Sequence, residues 1–415
     1  MEIATKKEVK LVPELRFKEF EGEIKNSRFG DVIESNIYGP RFNSNDYSDF
    51  GNVKTIRGTD LSGDGEIKYE QVPLALLDEK TVSTHKLIDG DIVMITTADC
   101  GATGVFRKQN IDYLSSAYGV RIRLNNLGDS YFFKYFFQTW KAKKEINSYI
   151  RKATVANLPS SDILKIKLNI PSLPEQQKIA TFLSAVDEKI NQLTQKANLL
   201  TQYKKGVMQQ LFSGKLRFKD ENGKDFPEWE EKKLGEVATF LKGKGVSKSD
   251  LSDDGALECI RYGELYTVYA ETITDIVSRT NALEKDLVLS HKNDVIIPAS
   301  GETQIDIATA SCVRKSNVAL GGDLNIIRSE NNGTFLAYYL NSALKFDIAR
   351  LSQGISVVHL YSSQLKILNI NIPEIEEQEK IATYLIALDE KLEQVNTQIE
   401  KAKTFKKGLL QQMFV

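Results

Sequence analysis

Lys242, Lys244 and Lys248 interleave with Gly243, Gly245 and Ser247, and Arg41 stands beside Asn43 and Asn45 in a second polar loop. These residue types grip phosphate oxygens and read base edges through charge and forked hydrogen bonds. A solvated loop has the same composition, so both readings stay open on composition alone. Arg57 and Arg261 recur beside Ile56 and Ile260, where a guanidinium could meet DNA or an internal carboxylate. Gln353, Ser356 and His359 complete the candidate set for nucleic-acid contact. Bond-breaking chemistry finds no comparable support. The chain has no GxxxxGK[ST] phosphate loop, no GxSxG elbow and no HExxH zinc motif. The Asn/Asp-Pro-Pro-aromatic signature of amino-group DNA methyltransferases is also missing. Asp60-Leu-Ser-Gly-Asp-Gly opens like a calcium loop, but its twelfth position is Gln71 instead of a bidentate Glu, which favours a plain turn. His85, His291 and His359 do not cluster, and Cys100, Cys259 and Cys312 form no CxxC pair. No catalytic and no metal-binding residue is expected.

The elements that would position these loops are written twice. Pro171–Phe212 aligns without a gap on Pro373–Phe414 at an offset of 202, with 19 of 42 positions identical. The first copy ends YKKGVMQQLF and the second FKKGLLQQMF. Upstream, Leu158, Ser160 and Ser161 meet Leu360, Ser362 and Ser363. Leu15-Arg16-Phe17 returns as Leu216-Arg217-Phe218, and Asp91-Ile92-Val93 as Asp294-Val295-Ile296. Between such anchors the halves diverge almost completely. The plan is head, helix, head, helix, with similar helices and unlike heads.

In each repeat the apolar residues step by four and three. They run from Ile179 through Leu183, Val186 and Ile190 to Leu211, and from Ile381 through Leu385, Leu388 and Leu392 to Met413. This is a coiled-coil seam. Each helix should span about 38 residues, or about 57 Å at 1.5 Å per residue. Ser172 and Glu175 form a capping-box pattern at the first helix start. If the seams bury each other, chain order makes the pair antiparallel and relates the two repeats by about 180°. Met413-Phe414-Val415 should then finish beside Val12–Phe17. Gly206 and Gly408 sit at matching helical positions and suggest close packing there. The heads mix short apolar runs, such as 91–96 and 294–298, with aromatic helical stretches at Tyr131–Trp140 and Phe335–Leu344. The expected fold class is α+β: two globular heads in a pseudo-twofold arrangement, joined by two long antiparallel coiled-coil helices. The expected boundaries are 1–158 and 215–360 for the heads, with 159–214 and 361–415 for the helical regions.

The helical repeats also match at polar positions. Glu175, Gln176, Lys178, Asp187, Lys189, Lys204, Lys205, Gln209 and Gln210 match Glu377, Gln378, Lys380, Asp389, Lys391, Lys406, Lys407, Gln411 and Gln412. Read as outward-facing, they make two equal surfaces suited to two copies of one partner. Net charge is −1, which speaks against a protein that holds DNA unaided, because phosphate neutralisation needs clustered Lys and Arg. Three scattered cysteines, a charged first ten residues and the lack of a long apolar stretch lead to an expectation of a reducing, cytoplasmic setting without a membrane.

The repeated openings, Ile170-Pro-Ser-Leu-Pro-Glu-Gln176 and Ile372-Pro-Glu-Ile-Glu-Glu-Gln378, with the KKGxxQQ[LM]F endings, resemble the specificity subunits of type I restriction-modification systems. Pro227-Glu228-Trp229 at the start of the second head is similar to that family too. The resemblance covers essentially the whole chain. It implies that each head is a target recognition domain for one half of a bipartite sequence in double-stranded DNA. It implies that the helices set an unread gap and dock two methyltransferase subunits, and that two restriction subunits join them. S-adenosylmethionine, ATP and Mg would serve those partners, and this chain would bind no cofactor. A freestanding DNA-binding regulator with two heads is the alternative.

Overall fold

The computed structural model describes residues 12–22, 24–354 and 357–414. The chain divides into two compact units, Met1–Thr194 with Thr397–Val415, and Gln195–Asn396. Each unit holds one head and a stretch of both long helices. Among the described residues, no helix is long and apolar enough to cross a membrane.

In the first unit, four antiparallel strands pair in the order Ile33–Tyr38, Gly119–Leu124, Ile92–Ile95, Thr103–Val105. Ile92–Ile95 is central and fully buried, as its unbroken apolar run requires. A smaller sheet places Val53–Ile56 between Leu74–Ala75 and a parallel partner, Tyr113–Ser115. A ribbon of Lys25–Arg28 with Lys167–Ile170 leads into the first long helix. The second unit repeats this plan. Its larger sheet runs Thr239–Lys242, Leu324–Arg328, Asp294–Pro298, Ser311–Val313, then a fifth strand, Thr272–Ile273. Its smaller sheet places Leu257–Ile260 between Ser278–Thr280 and a parallel Ala319–Leu320. Glu230–Lys233 pairs with Asn369–Ile372 before the second long helix. Unlike sequences therefore build one plan twice, with a fifth strand added in the second unit.

The aromatic stretch Tyr131–Trp140 differs from the single helix its pattern suggests. A helix over Ser130–Phe136 stops, and Thr139 caps a new one over Trp140–Tyr149 by accepting from the Ala142 N–H at 3.2 Å. A hydroxyl at that position satisfies an amide that continuing the helix would leave to a carbonyl four residues back. Phe132, Phe133, Tyr135 and Phe136 are all buried, so the first helix has no solvent face.

The long helices span Leu173–Phe212 and Ile375–Gln412, 40 and 38 residues. No predicted seam residue is exposed. Within the first unit, Leu409, Met413 and Phe414 join Ile179, Ala180 and Leu183 in one core. Within the second, Val207, Leu211 and Phe212 join Ile381, Leu385 and Leu388. Late residues of one helix meet early residues of the other, so in each unit the segments are antiparallel. The Leu15 N–H donates to the Gln412 carbonyl at 3.0 Å, and the Leu216 N–H to the Gln210 carbonyl at 3.1 Å. The chain's end meets its beginning as the unbroken passage does in the other unit. Val415 lies outside the described residues. The packing read into Gly206 and Gly408 is corrected: a Cβ at either would meet nothing within 4 Å.

Candidate functional site

The matched polar residues of the helices fall into two groups. Glu175 and Gln176, with Glu377 and Gln378, are interior, which corrects their reading as an outward face. The Glu175 carboxylate takes both prongs of Arg16, at 2.7 and 2.8 Å, instead of closing a capping box with Ser172. Glu377 takes Arg217 in the same way at 2.9 and 2.7 Å, and accepts a third bond from Trp229 Nε1 at 3.1 Å. Each carboxylate raises the pKa of its arginine, chiefly by accepting the guanidinium hydrogen bonds. Gln176 accepts from the Asp129 N–H at 2.9 Å and donates to the Leu127 and Pro171 carbonyls. Gln378 accepts from the Asn332 N–H at 2.8 Å and donates to the Pro373 carbonyl and Asn331. The LRF and Glu-Gln repeats are thus two halves of one clasp. Phe17 against Phe182, and Phe218 against Tyr384, complete it at ring separations of 5.7 Å.

A second network turns Asp187, Lys204, Asp389 and Lys406 inward as well. Lys406 meets Asp187 at 2.6 Å, and Asp187 accepts from the Tyr135 hydroxyl at 2.8 Å. In the other unit Lys204 meets Asp389 at 2.6 Å, and Asp389 accepts from Tyr338. Each lysine also lies over its tyrosine ring, at 5.5 and 5.0 Å. Burial, above all, pushes both phenols up, so they stay donors. These pairs span the two helices and fix their register, which is why sequence alone mistook them for a docking face.

Lys189, Lys205, Gln209 and Gln210 do face solvent, as do Lys391, Lys407, Gln411 and Gln412. Lys178 is exposed beside Glu19 at 3.4 Å, whereas Lys380 is half-buried and donates to the Lys219 carbonyl at 2.7 Å.

The head candidates lie on loops. Arg41, Asn43 and Asn45 are exposed, as are Lys242, Lys244, Ser247 and Lys248. Asn43 and Ser247 start matching turns: each backbone N–H donates to a carboxylate three residues on, Asp46 at 2.8 Å and Asp250 at 2.7 Å. The Ser247 hydroxyl is also bound by Asp250, so that side chain is already engaged. Arg57 and Arg261 are held internally. Arg57 grips buried Asp60 at 3.1 and 3.0 Å, and Arg261 reaches Glu264 at 3.4 Å. Asp60 is drawn up by burial, but the Arg57 and Gln71 hydrogen bonds outweigh this and hold it below the usual carboxylate range. Its carboxylate is committed to those partners, in keeping with a turn. Among the described residues, no cluster of His, Cys, Asp and Glu could hold a metal.

Gln353 and His359 exchange two backbone hydrogen bonds, at 2.9 and 2.7 Å, closing a short loop. Ser356 lies outside the described residues. Arg151 and Asn157 close the same loop in the first head, at 2.8 and 3.1 Å. The offset of 202, carried upstream from Leu158, matches this loop to Gln353–His359 and places exposed Arg151, paired with Asp162 at 3.2 Å, and Lys152 on it. At the ends of the larger sheets' strands, Asp91 and Asp294 each take an arginine fork, from Arg123 at 2.9 and 2.7 Å and from Arg328 at 2.8 and 2.7 Å.

A family model described as the type I restriction modification DNA specificity domain matches twice, over residues 21–202 and 227–404. The chain is 26% identical to a putative type I restriction enzyme MjaX specificity subunit from Methanocaldococcus jannaschii, over 79% of each chain. It is also 26% identical to the MjaVIII specificity subunit of that organism, over 65% of this chain and 67% of the relative. Among solved structures, it resembles the S subunit of a type I restriction-modification system from M. genitalium. The TM-score is 0.60 at 16% identity, over 98% of this chain and 99% of that one. The HsdS subunit from Thermoanaerobacter tengcongensis matches with a TM-score of 0.50 at 16% identity, over 94% and 96%.

Proposed function

This chain belongs to the type I restriction-modification DNA specificity family, and from that premise we propose that it is the subunit that reads the target and performs no chemistry itself. Each head reads one half of a bipartite, asymmetric site in double-stranded DNA, and the long helices set the unread gap between the halves. The observation that supports this is one frame used twice under unlike loops. The Arg16–Glu175 and Arg217–Glu377 clasps share the same two-pronged ion pair. The loops of the two heads differ in their outward side chains, Arg41 and Phe50 against Lys244 and Lys248, as two readers of two different half-sites should.

Two methyltransferase subunits dock on this chain, and two restriction subunits complete the assembly. The faces that suit the methyltransferases carry Lys189, Lys205, Gln209 and Gln210, with Lys391, Lys407, Gln411 and Gln412, which remain exposed and matched. S-adenosylmethionine belongs to the methyltransferases, and ATP and Mg to the restriction subunits. DNA contacts come from Arg41 and Asn45 in one head and from Lys242, Lys244 and Lys248 in the other. The net charge of −1 fits a reader whose partners supply much of the phosphate contact.

The test is co-expression with the neighbouring methyltransferase in a host lacking adenine methylation, followed by single-molecule sequencing for N6-methyladenine. One bipartite, asymmetric motif that vanishes without this chain is the expected result. Association without any methylated motif, or tight salt-sensitive binding of target DNA by the isolated chain, would count against the reading.

A further inference from the structure

One loop in each head is built on the same frame. Residues 39–51 read GPRFNSNDYSDFG and residues 243–255 read GKGVSKSDLSDDG. The first glycine of each is pressed against backbone: a Cβ on Gly39 would strike the Ser115 carbonyl, and one on Gly243 the Gly321 carbonyl. The last glycine is pressed likewise, Gly51 against Ala75 and Gly255 against Thr280. Between them lie the matching turns at Asn43 and Ser247. A second pair of turns follows, in which the Gly51 and Gly255 N–H groups donate to the Ser48 and Ser252 carbonyls, both at 2.9 Å. Ser48 and Ser252 are in turn tied to Leu74 and Arg279, at 3.2 and 3.0 Å. Both ends and both turns are fixed, and the side chains facing inward match in kind, with Phe42 and Val246 packed into apolar clusters.

Divergence falls mainly on the residues that point out, the exception being buried Pro40 against exposed Lys244. Arg41 stands against Gly245, Ser44 against Lys248, and Phe50 against Asp254. Phe50 is 92% exposed, on a turn tied back to Ser48 and Leu74. Single exposed apolar side chains are ordinary on a protein surface, but Phe50 is the most exposed large one among the described residues. Its neighbours on the loop, Arg41 and Asn45, have the chemistry of base edges and phosphates, so the partner that fits is DNA.

We propose that 39–51 and 243–255 are matched base-reading loops, one per head, and that Phe50 makes an apolar contact with a base in the half-site of the first head. The inference rests on the reading above and names where it operates. Contact between an aromatic side chain and a base or a thymine methyl is tolerant of sequence in stacking and selective at the methyl. The replacement of Phe50 by Asp254 in the second head removes that contact and leaves a hydrogen-bond acceptor.

The experiment uses the full chain in complex with its methyltransferase. Phe50→Ala and Lys244→Ala are compared with the unaltered complex for co-purification, methylation rate on its own target duplex, and the methylated motif. Phe50→Ala should slow methylation about tenfold or more, the scale of one lost base contact, and relax one position in one half-site. Lys244→Ala should act on the other half-site alone. A Phe50→Ala complex within twofold of the unaltered rate, with the same motif, overturns the proposal. So does loss of co-purification, which would make Phe50 a protein contact. An unaltered complex that methylates nothing would instead fail the reading on which the proposal rests.

Discussion

The two units hold their helices with the same side chains and present different ones on their loops. Arg16 and Arg217, Gln176 and Gln378, Asp187 and Asp389, and Lys406 and Lys204 make equivalent contacts. Phe50 and Asp254 occupy one position on one turn with opposite chemistry. Identity between the copies therefore marks residues that other residues depend on. A buried carboxylate cannot lose its arginine without cost, whereas an exposed loop residue is free to follow its target. Polar identity on a helix, which first suggests a docking face, is here about as often internal wiring.

The largest effect should come from the clasps. Arg16→Ala leaves Glu175 buried without its only charged partner among the described residues, which should cost about 3–5 kcal/mol of stability in denaturant unfolding. Arg217→Ala leaves Glu377 its Trp229 donor at 3.1 Å but also deprives the Phe226 and Pro227 carbonyls of theirs, so its cost should be of the same order. If either substitution proved far more damaging than the other, the equivalence of the clasps would be wrong. Next come the cross-helix pairs. Asp187→Lys and Lys406→Asp should each lose about 2 kcal/mol, and the double reversal should recover part of it in a mutant cycle. Recovery should be incomplete, because Lys134 also approaches Asp187, at 3.7 Å.

A pH titration tests the heads. Burial pushes the phenols of Tyr69 and Tyr269 up to about 12. A raised folded-state value means that folding favours the protonated form. The resulting stability is complete below about pH 10, the unfolded value, and is lost as pH rises through about 12. The melting temperature should fall over that window while tyrosinate absorbance at 295 nm rises. Tyr69→Phe should blunt only the part of the transition that belongs to the first head. A melting temperature flat between pH 10 and 12 would remove both phenols from the account of stability.

Much of the frame was legible because repetition and seam spacing are properties of the sequence alone. Helix bounds, antiparallel pairing within each unit and the meeting of Leu15 with Gln412 all follow from an offset of 202 and chain order. The clasps were half legible: LRF and Glu-Gln were each seen to repeat, but nothing in one dimension says that Arg16 reaches residue 175. The loops were legible as polar and Gly-containing. What could not be read was which residues the turns consume, such as Ser247, and which they project, such as Phe50. That division depends on backbone held by distant segments, Ala75 and Ser115 in one head and Thr280 and Gly321 in the other.

The smallest expected effect bears on an identity inside the helices that internal wiring does not explain. Gly206 and Gly408 lie inside the helices, where glycine costs about 1 kcal/mol relative to alanine. A Cβ would meet nothing within 4 Å at either, so packing within the units does not require them. Gly206→Ala and Gly408→Ala should therefore each stabilise the isolated chain by about 1 kcal/mol, read from the denaturation midpoint. Both neighbourhoods include exposed matched residues, Lys205 with Gln209 and Lys407 with Gln411. If a methyltransferase approaches the helix backbone there, the same substitutions should weaken co-purification while the isolated chain grows more stable. A gain in stability with undiminished co-purification would make both glycines relics of the duplication. Destabilisation of the isolated chain would mean that the space at these positions is needed within the units after all.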